Sequence, residues 1–304
     1  SGVRDNCLNW ISSFLSNRTN NIKIENALSS PKPVTSGVPQ GSVLGPLLFL
    51  IYVADLSKCL RSGSEIALFC DDTKLFRSVS SSDDSSLLQS DLNFVVEWSR
   101  IWKLDLNIEK CKSLRIGKAC DSDFKYFINS NEISAVVSER DLGVIFDSNI
   151  KFQAHISKQI GVARRNLALI TRTFKFLNES TFLILYKSLV RPHLEFCTPA
   201  WNCQQIGFSH NIEKVQKLAT RYIRNLRGLS YPERLKKLKL PTLRYRRLRE
   251  DIICLFKICN IEFLKSTIVE FKPDVGTRGH SLALAKRRVR TKEGRQFLVN
   301  RIFG

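Results

Sequence analysis

The chain has 304 residues, 43% of them hydrophobic and 25% charged, with a formal net charge of +20. This composition excludes a disordered or low-complexity chain. The longest apolar run, Val43 to Ala54, is broken by Gly45 and Pro46 and is too short to span a bilayer. The charge is unevenly placed: residues 1–150 carry 16 Lys and Arg against 18 Asp and Glu, whereas residues 151–304 carry 32 against 10. A basic half beside a near-neutral half points to a polyanionic partner, most often nucleic acid, with a solvated basic surface as the bland alternative. There is no Met, and the opening SGVRDNCLNW has neither the basic nor the apolar region of a signal peptide. The expectation is a segment of a longer polypeptide. Nine Cys, an odd number without a CxxC pair, fit a reduced, intracellular setting, cytoplasmic or nuclear. His193, Cys197, Cys203 and His210 lack the tight Cys pair usual in zinc sites, so these Cys read as buried structural residues.

Cys7 to Leu15 reads as a short helix with Trp10, Ile11 and Phe14 inward, and NIKIEN (21–26) alternates as a strand. SSPKPVTSGVPQGS (29–42) is a loop. VLGPLLFLIYVADLSKCL is apolar nearly all round and predicts a buried helix that starts at Ser42 to Pro46 and stops before Gly63. Glu65 to Cys70 and Thr73 to Arg77 read as two strands joined at Asp71-Asp72. Leu87, Leu88, Leu92, Val95 and Val96 make a helical stripe, and CKSLRIG (111–117) and DLGVIFD (141–147) read as strands. Beyond residue 150 the pattern turns helical: Phe152 to Thr173, Thr181 to Val190 ended by Pro192, a helix with the stripe Ile212, Val215, Leu218, Tyr222 and Leu226, and a helix from Leu243 to Cys259 carrying Arg244, Arg246, Arg247 and Arg249. Phe174, Phe176, Trp201 and Tyr231 are assigned to the core. The tail after Phe271 is polar and basic, with KRRVR at 286–290. The fold class is α+β: residues 1–150 mix helices with an antiparallel sheet, 151–270 form a helical basic domain, and 271–304 a basic C-terminal segment.

The stretch IALFCDDTKLF raises a chemical question, because apolar strands flank two adjacent carboxylates. Ionised carboxylates are costly to desolvate, and neighbours repel. A hairpin tip can hold both in water, rigidly, and hard divalent cations take one or two carboxylates plus substrate phosphate. Such a pair suits nucleotidyl transfer, in which metal ions activate a 3′-hydroxyl and stabilise the leaving pyrophosphate. By itself it is also a common surface turn.

SGVPQGSVLGPLLFLIYVADL followed by LFCDDTKLF resembles the polymerase core of reverse transcriptases, most closely the non-LTR, jockey-type retrotransposon group. The resemblance implies a partial palm, antiparallel sheet with helices, followed by a thumb-like helical domain. It implies that Gly37, Pro39, Gln40, Gly41, Ser42 and Phe69 lie against template and incoming nucleotide, and that Asp71 and Asp72 are catalytic ligands of Mg²⁺ or Mn²⁺. Cys70 stands where the family usually has Ala. WSRIWKLDLNIEKCKSLRIG is similar to the next palm motif, with Asn107 and Lys110 at its loop. Lys110 would act as a general acid toward pyrophosphate; the bland reading is a solvated Lys. Leu142-Gly143-Val144 resembles the primer-grip strand. LVRPHLEFCTPAW, IEKVQKLATRYI, RGHSLALAKRRVR and GRQFLVNRIF are similar to the regions that follow. RNA template, DNA primer and deoxynucleoside triphosphates are the implied partners, with no membrane.

The family's third aspartate lies on a strand before the segment matching SGVRDNCLNWISSFLSNR. Asp5 falls in a different phrase, and Asp55 reads as a helix-end residue. The expectation is therefore that this chain alone does not polymerise. The alternative is a non-catalytic RNA- or DNA-binding relic in which Lys214, Lys217, Arg221 and Arg224 follow a phosphate backbone.

Overall fold

The computed structural model describes residues 2–117, 124–174, 177–202, 206–262, 264, 269–271, 284–285, 288–289, 294–295 and 297–302. The chain divides into two compact units, one of residues 1–113 and 118–135, the other of 114–117 and 136–304. It is α+β, with helices and small antiparallel hairpins.

The first unit opens with α1 (Asp5–Leu15), which buries no residue. Trp10 is exposed rather than inward and stacks on Phe14, ring centroids 5.9 Å apart. The expected strand at 21–26 is a small hairpin of β2 (Lys23–Ile24) and β3 (Ala27–Leu28), bracketed by the pair β1 (Thr19–Asn20) and β4 (Lys32–Pro33). α2 (Gly45–Val53) starts with Pro46 in its first turn, where a missing N–H costs nothing. Only Gly45 and Val53 of this helix are buried; Leu47, Leu50, Ile51 and Tyr52 face outward, so the all-round apolar sequence is covered on one side alone. β5 (Glu65–Phe69) and β6 (Asp72–Phe76) follow, then α3 (Ser82–Ile101), whose N-terminus carries a capping box of Ser81 and Asp84. Val53, Leu56, Val95 and Trp98 form the core beneath the β5–β6 hairpin, with Phe49, Ile66 and Leu68 packed on it. β7 (Lys112–Leu114) and β10 (Ser134–Val136) straddle the division, and β8 (Phe127–Ile128) pairs with β9 (Asn131–Glu132). Ile128, with Val96 and Ile133, makes a second small core.

The second unit contains the hairpin of β11 (Ser138–Asp141) and β12 (Val144–Asp147), then α4 (Gln153–Thr173) and α5 (Glu179–Leu185). Pro192 does not stop the helical path as expected. The chain widens into a π turn at Tyr186–Val190, where Arg191 N–H reaches back to Tyr186 O, and continues as α6 (Arg191–Glu195) with Pro192 in its first turn. α7 (Thr198–Trp201), α8 (Ile206–Arg221), α9 (Tyr231–Leu238), α10 (Leu243–Cys259) and α11 (Leu298–Ile302) complete the described elements. The main core joins Ile156, Leu167, Phe182, Tyr186, Trp201, Val215, Leu226 and Leu243.

On α8 the inward face is Ile212, Val215, Gln216, Ala219 and Thr220, continued by Ile223 past the helix end, while Leu218 and Tyr222 are exposed. The expected stripe was displaced because two polar residues go inside with partners. Gln216 accepts from Tyr186 Oη at 2.7 Å and donates to Tyr231 Oη and Pro241 O, each at 3.0 Å; Thr220 Oγ1 accepts from Arg234 Nε at 3.0 Å. Of the four aromatics assigned to the core, Trp201 is buried, Tyr231 is half-buried, Phe174 is exposed, and Phe176 lies outside the described residues. Most of KRRVR lies outside them as well. No described helix is long and apolar enough to cross a membrane.

Candidate active site

The two aspartates occupy the tip of β5–β6, one residue out of the expected register. Phe69 pairs with Asp72, Leu68 with Thr73 and Ile66 with Leu75, so the two-residue turn is Cys70-Asp71 and Asp72 opens the return strand. A turn at Asp71-Asp72 would set Ile66 opposite Arg77. The observed register sets it opposite Leu75, and releases Arg77 to pair with Asp84 at 3.3 Å. Tight hairpin turns need positive φ, and Cys70 supplies it at +53°, a left-handed conformation that disfavours a side chain. Asp71 and Asp72 are exposed, and no side-chain hydrogen bond or ion pair joins either carboxylate to another described residue. Beside them Phe69 is 58% exposed.

The hairpin is fixed from below. Ile66 and Leu68 sit on the core of Val53, Leu56, Val95 and Trp98, and the Trp98 indole donates to Asp55 Oδ1 at 3.1 Å. Entry to β5 is held by Asp91, fully buried on α3: its carboxylate accepts from the backbone N–H groups of Arg61 (2.8 Å), Ser62 (2.9 Å) and Ser64 (3.1 Å). Burial pushes the Asp91 carboxyl up, but the backbone donors from Arg61 and Ser62, with the Ser64 contacts, outweigh it and hold the group below its ordinary value. Sequence reasoning passed over Asp91. Its signal was an acidic residue at helical spacing inside the apolar face of Leu88, Leu92 and Val95.

The loop before α2 is built on backbone geometry. Gly37 and Gly41 have φ of +76° and +82°. Ser42 Oγ donates to Pro39 O at 2.7 Å and accepts from Gly45 N at 3.0 Å, and a Cβ on Gly45 would stand 3.0 Å from both oxygens. Arg18 donates to Gly37 O. Gln40 is exposed. The helix that follows this loop shares a core with the Asp71–Asp72 hairpin, since Phe49 of α2 packs in the cluster that holds Ile66 and Leu68. Lys110 is exposed on a 3₁₀ turn, Ile108–Lys110, capped by Asn107, whose Oδ1 accepts from Lys110 N–H at 3.3 Å. No ion pair joins Lys110 to either aspartate among the described residues.

The remaining expected site residues lie in the second unit. Leu142 and Gly143 form a two-residue turn, φ +44° and +88°, between β11 and β12, with Val144 opening β12. The segment expected as one strand is thus a hairpin. Lys214 and Arg221 are exposed on α8, Lys217 is half-buried with its amine 5.3 Å from the Tyr231 ring centroid, and Arg224 lies past the helix on a 3₁₀ turn. Of the zinc-like set, His193 pairs with Asn166 at 3.2 Å, Cys197 is exposed rather than buried, and Cys203 lies outside the described residues; among those described, no group of three metal-ligating side chains is gathered.

With the geometry in place, comparison with known proteins identifies the class. The model of the family "Reverse transcriptase (RNA-dependent DNA polymerase)" matches residues 2–178, and the chain belongs to the reverse transcriptase family. The relatives it resembles are named as polymerases of mobile elements. The chain is similar to the RNA-directed DNA polymerase from mobile element jockey of Drosophila melanogaster, 27% identical over 247 residues, covering 77% of this chain and 27% of that protein. It is also similar to the jockey polymerase of Drosophila funebris, 28% identical over 230 residues (72% and 25%), and to the probable RNA-directed DNA polymerase from transposon X-element of Drosophila melanogaster, 25% identical over 230 residues (73% and 25%). The chain thus spans about a quarter of the length of these relatives. No solved structure matches it.

Proposed function

We propose that this chain is a palm-and-thumb segment of an RNA-directed DNA polymerase of a non-LTR retrotransposon, whose parent protein extends a DNA primer along an RNA template. Residues 1–150 supply part of the palm, 151–270 the thumb and 271–304 a basic C-terminal segment. The observation that carries the reading is the exposed Asp71–Asp72 pair on a hairpin tip inside the segment matching the family. The donor set fits a hard divalent cation: two carboxylates, in water, with no competing cationic side chain bound to them among the described residues. Asp71 and Asp72 would hold Mg²⁺ or Mn²⁺, which when bound supplies Lewis-acid activation of the primer hydroxyl and neutralises phosphate charge. Gly37, Pro39, Gln40, Gly41 and Ser42 position template and nucleotide, with Phe69 beside the metal-binding tip. Leu142, Gly143 and Val144 grip the primer, and Lys110 donates a proton to pyrophosphate.

Among the described residues no third carboxylate is gathered with the pair. In this reading the chain alone binds metal and primer–template without extending the primer. Mn²⁺ binding followed by electron paramagnetic resonance, together with a primer-extension assay, tests it. The expected results are Mn²⁺ binding that Asp71→Ala with Asp72→Ala abolishes, and no extension. Unchanged Mn²⁺ binding in the double variant removes the metal assignment, and processive synthesis by the chain removes the incompleteness.

A second reading, nucleic-acid binding without catalysis, rests on the line of Lys214, Lys217 and Arg221 along α8. It expects retention of RNA or DNA with no metal bound at the hairpin.

A further inference from the structure

Arg18 lies just past the end of α1, half-buried, and its guanidinium joins that helix to the loop before α2. Nε donates to Leu15 O at 3.1 Å, while Nη2 donates to Gly37 O and lies 3.5 Å from Ser36 O. The Arg18 backbone is itself held. Its carbonyl accepts the N–H of Val34 at 2.9 Å, which extends the β1–β4 pair by one step. Thr19 faces Pro33 in that pair, so Arg18 stands opposite Val34 and its side chain reaches on to Gly37.

The loop has two halves with different supports. Toward α2, Ser42 Oγ bonds Pro39 O and Gly45 N, and Ser42 N donates to Pro39 O at 3.2 Å. Toward β4, residues 35–38 receive hydrogen bonds from Arg18 alone among the described residues. Exposed Gln40 sits between the two supports. Gly37, at φ +76°, has no side chain by which the loop could be held instead, so where the loop presents Gln40 depends on what grips the Gly37 carbonyl. Arginine suits this task. Its planar fork offers N–H groups in fixed directions, so one side chain serves the helix end and the loop together, whereas a lysine amine is a point charge on a flexible stem.

We propose that Arg18 is a positioning residue of the Gly37–Ser42 loop: it fixes the Gly37 end so that Gln40 meets the template strand. It acts through backbone carbonyls and does not itself touch nucleic acid. The inference rests on the reading of Gly37–Ser42 as a template and nucleotide contact, and adds to it a residue from outside the loop.

The test is a double-variant cycle on the whole chain, read as affinity for a DNA primer annealed to an RNA template, by anisotropy across a salt series. Gln40→Ala and Arg18→Ala should each weaken binding about fivefold, and the two together little more than either, because a misplaced Gln40 has no contact left to lose. Arg18→Lys should behave as Arg18→Ala. In both Arg18 variants the slope of log affinity against log salt, the melting temperature and Mn²⁺ binding at Asp71–Asp72 should stay near those of the parent chain. Additive losses in the double variant, or full affinity in Arg18→Ala beside a weakened Gln40→Ala, overturn the inference and leave the loop reading standing. A slope lowered by about 1 makes Arg18 a phosphate contact and overturns the inference too. No effect of Gln40→Ala, or no binding by the parent chain, overturns both. Should Arg18→Ala lower the melting temperature or the Mn²⁺ binding, the cycle with Arg18→Lys decides: additive losses there overturn the proposal.

Discussion

Arg301 Nε donates to Asp251 Oδ2 at 2.9 Å, and both residues are almost wholly buried, at 6% and 1% exposure. The pair ties α11 to α10. Asp251 also accepts from Asn202 Nδ2 at 2.6 Å, and Arg301 donates to Pro199 O at 2.7 Å, so both charges are surrounded by hydrogen bonds. A buried pair is weak evidence of net stabilisation, but breaking it leaves one charge buried without its partner. Arg301→Ala should therefore cost about 3–5 kcal/mol in denaturant unfolding. A loss below about 1 kcal/mol, the range of surface ion pairs, would show that α11 does not dock as described.

Asp91 gives the first unit a defined acid sensitivity. Its folded pKa lies below the unfolded value, so the unfolded state binds more protons at low pH. The stabilisation is complete above about pH 4, the unfolded carboxylate value, and is lost as pH falls through the lower folded value. Asp91→Asn presents an amide where three backbone donors converge, and should cost about 1–3 kcal/mol at pH 7. The gap between the two proteins should narrow toward pH 3. Urea titrations at the two pH values measure it, and a pH-independent gap would contradict the account.

Cys70 carries strain at the point where the hairpin presents its carboxylates. With φ at +53° it holds a conformation that glycine adopts freely. Cys70→Gly should raise stability by roughly 0.5–1 kcal/mol, the relief of left-handed strain being offset in part by the extra freedom of glycine in the unfolded chain. Cys70→Val should lower it. Thermal unfolding of the two variants checks the sign, and equal melting temperatures would mean that the turn relaxes in solution.

The parts legible in the sequence are those in which local signals and tertiary packing agree. α10 ran over the expected residues, Leu243–Cys259, and α4 differed by one at its start, because long helices with periodic apolar faces tolerate few alternatives. The Asp71–Asp72 hairpin was legible to within one residue. Its register was not, since that depends on Leu75 facing Ile66 across the strands, a pairing that no single strand displays. Pro192 misled because a π turn can absorb its missing donor. The inward face of α8 misled because Gln216 and Thr220 are buried by partners from Tyr186, Tyr231 and Arg234, remote in sequence. Arg18 was hidden for the same reason: only the fold brings it to Gly37, 19 residues further along.

The cations of α8 are not equivalent, and this separates an electrostatic surface from a structural one. Lys214 and Arg221 are exposed, two helical turns apart on one face, with no role in the core. Lys217 lies between them but over the Tyr231 ring, whose hydroxyl donates to Glu213; burial, then Glu213, pushes that phenol well above its ordinary range. If the line follows a phosphate backbone, Lys214→Ala with Arg221→Ala should reduce the slope of log affinity against log salt by about 2, with sequence preference unchanged. Stability should move by less than about 0.5 kcal/mol, as for exposed positions in general. Lys217→Ala should lower the slope by about 1 and also cost roughly 0.5–1 kcal/mol of stability from the lost cation–π contact. Anisotropy titrations across a salt series measure the slopes. An unchanged slope in the double variant would assign these cations to solvent and move the nucleic-acid path elsewhere on the basic half of the chain.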